Sequence, residues 1–148
     1  VPGYPDFGRV SKTLSDLALL KGTASTSTLL VFETVPPAQR WRLLSVYCNP
    51  TTTGAAGNRS FLLRVRDDVD ATVALVPAAL VLPASTAGDL TWAAGIGASV
   101  APSGVTREVD PLPELYLLPG WDLRVEVLGG AVVTDTSVHA IMYERQSA

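Results

Sequence analysis

The feature that most constrains this chain is a two-residue alternation of apolar and polar side chains. From residue 121, Trp121, Leu123, Val125 and Val127 fall on one face of an extended segment, and Asp122, Arg124 and Glu126 on the other. Successive side chains of a strand point to opposite faces, so this pattern makes a strand with one buried and one wet face. Residues 59–66 repeat it, with Phe61, Leu63 and Val65 set against Ser60, Arg64 and Arg66 and with Leu62 as the exception. Further runs occupy 29–34, 41–48, 72–76, 79–82, 89–93, 105–109, 114–118 and 137–144. Several are apolar on both faces, as strands of a sandwich interior or a subunit contact are.

Turn formers separate the runs: Pro36-Pro37, the stretch 50–57, Asp67-Asp68, Pro83, Gly95-Ile96-Gly97, Pro102-Ser103-Gly104, Pro119-Gly120 and Gly129-Gly130. Proline followed by glycine suits the type II turn, whose third position needs a positive φ. About eight to ten short strands punctuated in this way predict an all-β sandwich or barrel. No repeat of 20–50 residues breaks the chain into units.

At 148 residues the chain has the size of one domain and can bury a core without metal or disulfide support. Its single cysteine, Cys48, lies in an apolar run and reads as a buried, inert thiol. Residues 1–22 stand apart from the domain expected over 23–148. Pro2, Gly3, Pro5 and Gly8 mix there with Tyr4 and Phe7, and residues 13–20 carry Leu14, Leu17 and Ala18 at helical spacing, with Ser11 or Thr13 as cap. The reading is an extended N-terminal arm with a short helix or an irregular segment. The aromatics mark it as an arm that docks, with Tyr4, Pro5 and Phe7 as its partner-binding residues.

The charge balance excludes some functions. Net charge is −3, Lys12 and Lys21 are the only lysines, and the arginines are spread over separate strands. A nucleic-acid surface concentrates positive charge against phosphates, so no nucleic-acid partner is expected. No apolar run approaches the roughly 20 residues of a membrane helix, and no basic-then-apolar opening marks a signal peptide. Neither a membrane partner nor secretion is expected. Scarce Asn and Gln fit a thermophilic source and a high-GC genome equally.

Catalytic chemistry finds little to work with. The only histidine, His139, sits in a strand pattern without a nucleophile elbow and reads as structural or surface-exposed. One His and one Cys do not make a zinc site. Asp67, Asp68 and Asp70 lack the spacing of a calcium loop and read as caps of a solvated turn. Glu108, Asp110 and Glu114 read as charges at strand edges that discourage unwanted pairing. Gly95-Ile96-Gly97 lacks the strand–turn–helix setting of a nucleotide loop. No catalytic, cofactor-binding or metal-binding residue emerges, and the chain is not expected to be an enzyme. Trp41 and Trp121, at strand beginnings, and Trp92 within a strand run read as core residues or interface anchors, with sugar stacking as a lesser use.

One cadence occurs twice: Val35-Pro36-Pro37-Ala38-Gln39-Arg40-Trp41-Arg42-Leu43-Leu44-Ser45-Val46, and later Leu117-Leu118-Pro119-Gly120-Trp121-Asp122-Leu123-Arg124-Val125. Each is a proline-led turn followed by an aromatic-led strand. With the closing strand over 138–145, this resembles the capsid decoration (auxiliary head) proteins of thermophilic tailed bacteriophages. The resemblance implies a jelly-roll-like β-sandwich and a homotrimer bound to the major capsid protein on the capsid exterior. It also implies assembly in the host cytoplasm, arms reaching neighbouring subunits, and no catalytic residues. The rival readings are a phage tail or receptor-binding module using the loop 51–57, and a glycan-binding or cupin-like domain. Cupin metal sites use several histidines where this chain has one.

Overall fold

A computed structural model describes residues 17–26, 29–97, 106–129 and 135–147. They form ten strands: β1 (Leu17–Thr26), β2 (Leu29–Thr34), β3 (Gln39–Thr51), β4 (Arg59–Arg66), β5 (Thr72–Leu82), β6 (Asp89–Ala94), β7 (Arg107–Leu112), β8 (Tyr116–Leu117), β9 (Asp122–Leu128) and β10 (Asp135–Ser147). One sheet runs β1-β10-β3-β6-β7, with β8 added to β3; the other runs β2-β9-β4-β5. The pairs β1/β10, β2/β9, β3/β6 and β4/β5 nest inside one another and alternate between the sheets. All pairings are antiparallel except β6 with β7. The expected all-β sandwich is the observed architecture.

The core lies between the sheets. Strand β4 is the plainest case, with Arg59, Phe61, Leu63 and Val65 buried and the residues between them half-buried. Strand β3 is less regular, and its irregularity explains a run of sequence that is apolar on both faces. Met142 pairs with Ser45 and Tyr143 with Leu43, so Leu44 is an extra residue on β3. Such a bulge resets the two-residue period. Trp41 and Leu43 face inward before it, and Val46 and Cys48 after it. Trp41 stacks on Tyr143 with ring centroids 4.1 Å apart, joining the two longest strands.

The two proline-led turns meet in space. Gln39 N–H donates to Pro36 O at 3.3 Å, and Trp121 N–H to Leu118 O at 3.1 Å, closing both turns. Gly120 takes φ 81°, as the type II reading requires, and Ala38 takes φ 63° at the matching place. Val35 N–H then donates to Trp121 O, and Gly120 N–H to Val35 O, at 2.9 and 3.0 Å. The repeated cadence therefore encodes two turns that brace each other.

Three expectations need correction. Leu17–Leu20 are not helical: they begin β1, which pairs with β10 along its whole length. Pairing with a long strand supplied by the far end of the chain overrides a local helical spacing. For the same reason the sandwich takes in residues 17–22 of the expected arm; Tyr4, Pro5 and Phe7 lie outside the described residues. The runs 72–76 and 79–82 are one strand, β5, because an edge strand tolerates Pro77.

Candidate interaction surfaces and buried polar groups

Trp41 and Trp92 are 2% and 0% exposed and belong to the core, so neither is an interface anchor. Large aromatic surfaces at inward positions are worth most when fully covered, and the facing sheet covers these. Trp121 packs partly buried against the same core.

Most of the large apolar residues open to a partner lie on the outer sheet faces. On β1 and β10 these are Leu17, Leu19, Val138 and Met142, each 43–53% exposed. Leu19 and Met142 are direct cross-strand neighbours, and Lys21 pairs with Ala140, which pairs with Tyr47. An open cavity of about 510 Å³ is lined here by Lys21, Gly22, Tyr47, Val138, His139 and Ala140. Most of that lining is apolar. Toward β6 and β7 the same face turns polar. Tyr47 Oη donates to Asp89 Oδ1 at 2.8 Å, Asn49 Nδ2 to the same oxygen at 3.0 Å, and Arg107 Nε to Asp89 Oδ2 at 3.0 Å. The hydrogen bond from Tyr47, above all, holds the Asp89 carboxyl below the usual carboxylate range, and the same bond raises the Tyr47 phenol. The outer face of the second sheet carries Val73, Leu75 and Val81 on β5 and Leu128 on β9, all about half exposed.

His139 is buried, with Nε2 3.0 Å from Glu33 Oε1 on the opposite sheet. Cys48 is its cross-strand neighbour, so the only Cys and the only His of the chain lie side by side. The arrangement does not make a nucleophile. Cys48 is fully buried, and burial pushes its thiol up to about 12, opposite to what thiolate chemistry needs. His139 Nδ1 has no hydrogen-bond partner among the described residues. Cys48 is buried, as its apolar run predicts, and His139 is buried rather than surface-exposed.

Asp67 caps its turn as expected. Its Oδ1 accepts from Val69 N–H at 3.0 Å and Ala71 N–H at 2.8 Å, and Asp70 takes φ 66°. Among the described residues no group of three or more His, Cys, Asp or Glu side chains is placed to hold a metal.

Glu108 and Asp110 depart from the sequence reading. They are not exposed edge charges but 6% and 8% exposed, on the inner face of β7. Burial raises both carboxyls above their ordinary values; for Glu108 the neighbouring Asp110 charge adds to the effect. Two carboxylates two residues apart on a strand share a face, a signal the sequence carried. What it did not carry was which face the second sheet would cover.

No protein-family model matches the chain, and no curated protein matches its sequence. Among solved structures, one of infectious bursal disease virus, Gt strain, aligns with 89% of this chain at 10% identity and a TM-score of 0.31. The aligned part is 38% of that structure's chain, so the present chain spans well under half of it.

Proposed function

We propose that this chain is a structural virion protein, a jelly-roll-type sandwich that sits as a homotrimer on the outer surface of a bacteriophage capsid and stabilises the mature shell. The observation that carries the reading is the apolar outer face of β1 and β10. Leu17, Leu19, Val138 and Met142 remain about half exposed although the sandwich already has a complete core. The nested strand pairing supports the jelly-roll part, since that winding serves capsid proteins among others. The twice-used turn and strand cadence supports the decoration part.

The mechanism is mass action. A protein that binds the mature shell better than its disassembled form stabilises the shell by the difference. Fully covering a leucine or methionine side chain is worth roughly 1.5–3 kcal/mol. Leu17, Leu19, Val138 and Met142, already about half covered, make a modest contact between neighbouring copies, and the trimer so built presents three linked shell contacts that raise effective concentration. Tyr4, Pro5 and Phe7 supply further anchors to a neighbouring subunit or the shell.

Solution mass tests the reading. The purified chain is expected to run as a trimer, and the double variant Leu19→Asp/Met142→Lys as a folded monomer. A wild-type monomer, or a trimer indifferent to both substitutions, would count against it.

A further inference from the structure

The inner face of β7 places Glu108 and Asp110 against β5, where the two sheets bring their outermost strands together. Strand β5 is irregular at that point. Ser60 pairs with Val81 and Leu62 with Pro77, so Phe61 alone stands opposite Ala78, Ala79 and Leu80. The carboxyls take up the backbone there: Leu80 hydrogen-bonds Glu108, and Ala79 hydrogen-bonds Asp110. The two carboxyls stand two residues apart on that buried face, within reach of each other. Carboxylates only accept, so a hydrogen bond between them requires one of the pair to carry a proton. Glu108 Oε2 and Asp110 Oδ2 are enclosed without a partner among the described residues.

We propose that Glu108 and Asp110 form a proton-sharing latch that ties the bulged edge of β5 to β7 and lets go when the shared proton is lost. With one proton present, the pair carries a single charge spread over hydrogen bonds to each other and to Ala79 and Leu80. With none, two like charges meet in a largely buried site, a state that burial penalises.

No cation offsets the second charge among the described residues. Strand β5 has no ionisable side chain over Thr72–Leu82. On β6 the only ionisable group is Asp89, turned to the outer face and held by Tyr47, Asn49 and Arg107. Arg107, the remaining charge on β7, points to that outer face too. The latch is independent of the proposed virion role: it follows from the margin of the sandwich, whatever covers its faces.

The sign follows from the raised carboxyls. Stability from the latch is fully present below the ordinary glutamate value of 4.5 and is lost as pH rises toward the folded pair's own, higher titration. Between those limits the folded state holds one proton more than the open state, so the local opening constant is expected to rise about tenfold per pH unit and then level off.

Native-state hydrogen exchange of the Ala79 and Leu80 amides on the full chain, corrected for intrinsic rates, reads this directly. Glu108→Gln supplies a permanent donor to Asp110, and Asp110→Asn one to Glu108, so either folded variant is expected to flatten the profile. A flat wild-type profile, or a wild-type slope surviving in a folded variant, overturns the latch. Carboxyl carbon shifts of the wild type need no variant. Retention of one proton by the pair above the ordinary glutamate value supports the latch, and two ionised carboxyls just above that value overturn it.

Discussion

Arg59 and Asp135 clamp the two sheets together: Nε of one lies 3.1 Å from Oδ2 of the other, and the side chains are 1% and 4% exposed. Arg59 opens β4 in one sheet and Asp135 opens β10 in the other. Of the remaining donors, Nη1 serves Ala55 O and Gly57 O and Nη2 serves Thr53 Oγ1 and Asp135 Oδ1, which also accepts from Thr53 N–H. One ion pair thus also fixes the loop between β3 and β4.

Removing one member of a buried pair leaves the other charged and unpartnered, at a cost of about 3–5 kcal/mol. Arg59→Leu is expected to fall in that range by urea denaturation, and Asp135→Asn as well, because it leaves the buried Arg59 guanidinium, which cannot shed its proton, without a counter-charge. The double variant Arg59→Met/Asp135→Leu is expected to recover much of the loss. Equal losses in the single and double variants would mean that the ion pair is not what couples the sheets.

Gly22 is set by a different constraint. A Cβ there would meet His139 Cε1 at 2.6 Å and Nε2 at 2.7 Å, distances that real Cβ atoms do not keep. The ring is wedged between β1 and Glu33, so it has to leave its hydrogen bond to make room. Gly22→Ala is expected to lower stability by about 1–3 kcal/mol, the usual cost of overpacking. In a His139→Ala background the same substitution should cost little. Thermal unfolding of the four-member cycle measures the coupling, and additive losses would place the strain elsewhere.

The strands were legible wherever a wet and a dry face alternate in step. Residues 59–66 coincide with β4, and the alternation from Trp121 runs into β9 with Leu123 and Val125 buried. Legibility failed where distant chain decides the outcome. The helical spacing of Leu14, Leu17 and Ala18 is local, while the pairing of Leu17 with Glu144 is not. Residues 72–82 looked like two strands because Pro77 interrupts them, and only their position at a sheet edge makes the interruption harmless. Glu108 and Asp110 looked like edge charges because they do sit on an edge strand. Their burial comes from β5 of the other sheet, which no pattern within 107–112 announces. The tryptophans were ambiguous between core and interface for the same reason, since only the facing sheet decides which surface of a strand is covered.

Cys48 gives the last test, and it discriminates between a structural and a chemical thiol. It lies fully buried on β3 next to His139, where desolvation alone pushes its titration up to about 12. A thiolate is the reacting species, and at neutral pH such a thiol has almost none of it. The native protein is therefore expected to resist a disulfide exchange reagent at pH 8, a condition under which an exposed cysteine of ordinary acidity, about 8.5, reacts readily. Full reactivity should appear only as denaturant opens the sandwich, with the same midpoint as the loss of tryptophan burial. Fast labelling of the folded protein would instead require a path to the thiol between β3 and β10. In that case the His139 and Glu33 neighbours would have to be reconsidered as parts of a working nucleophile.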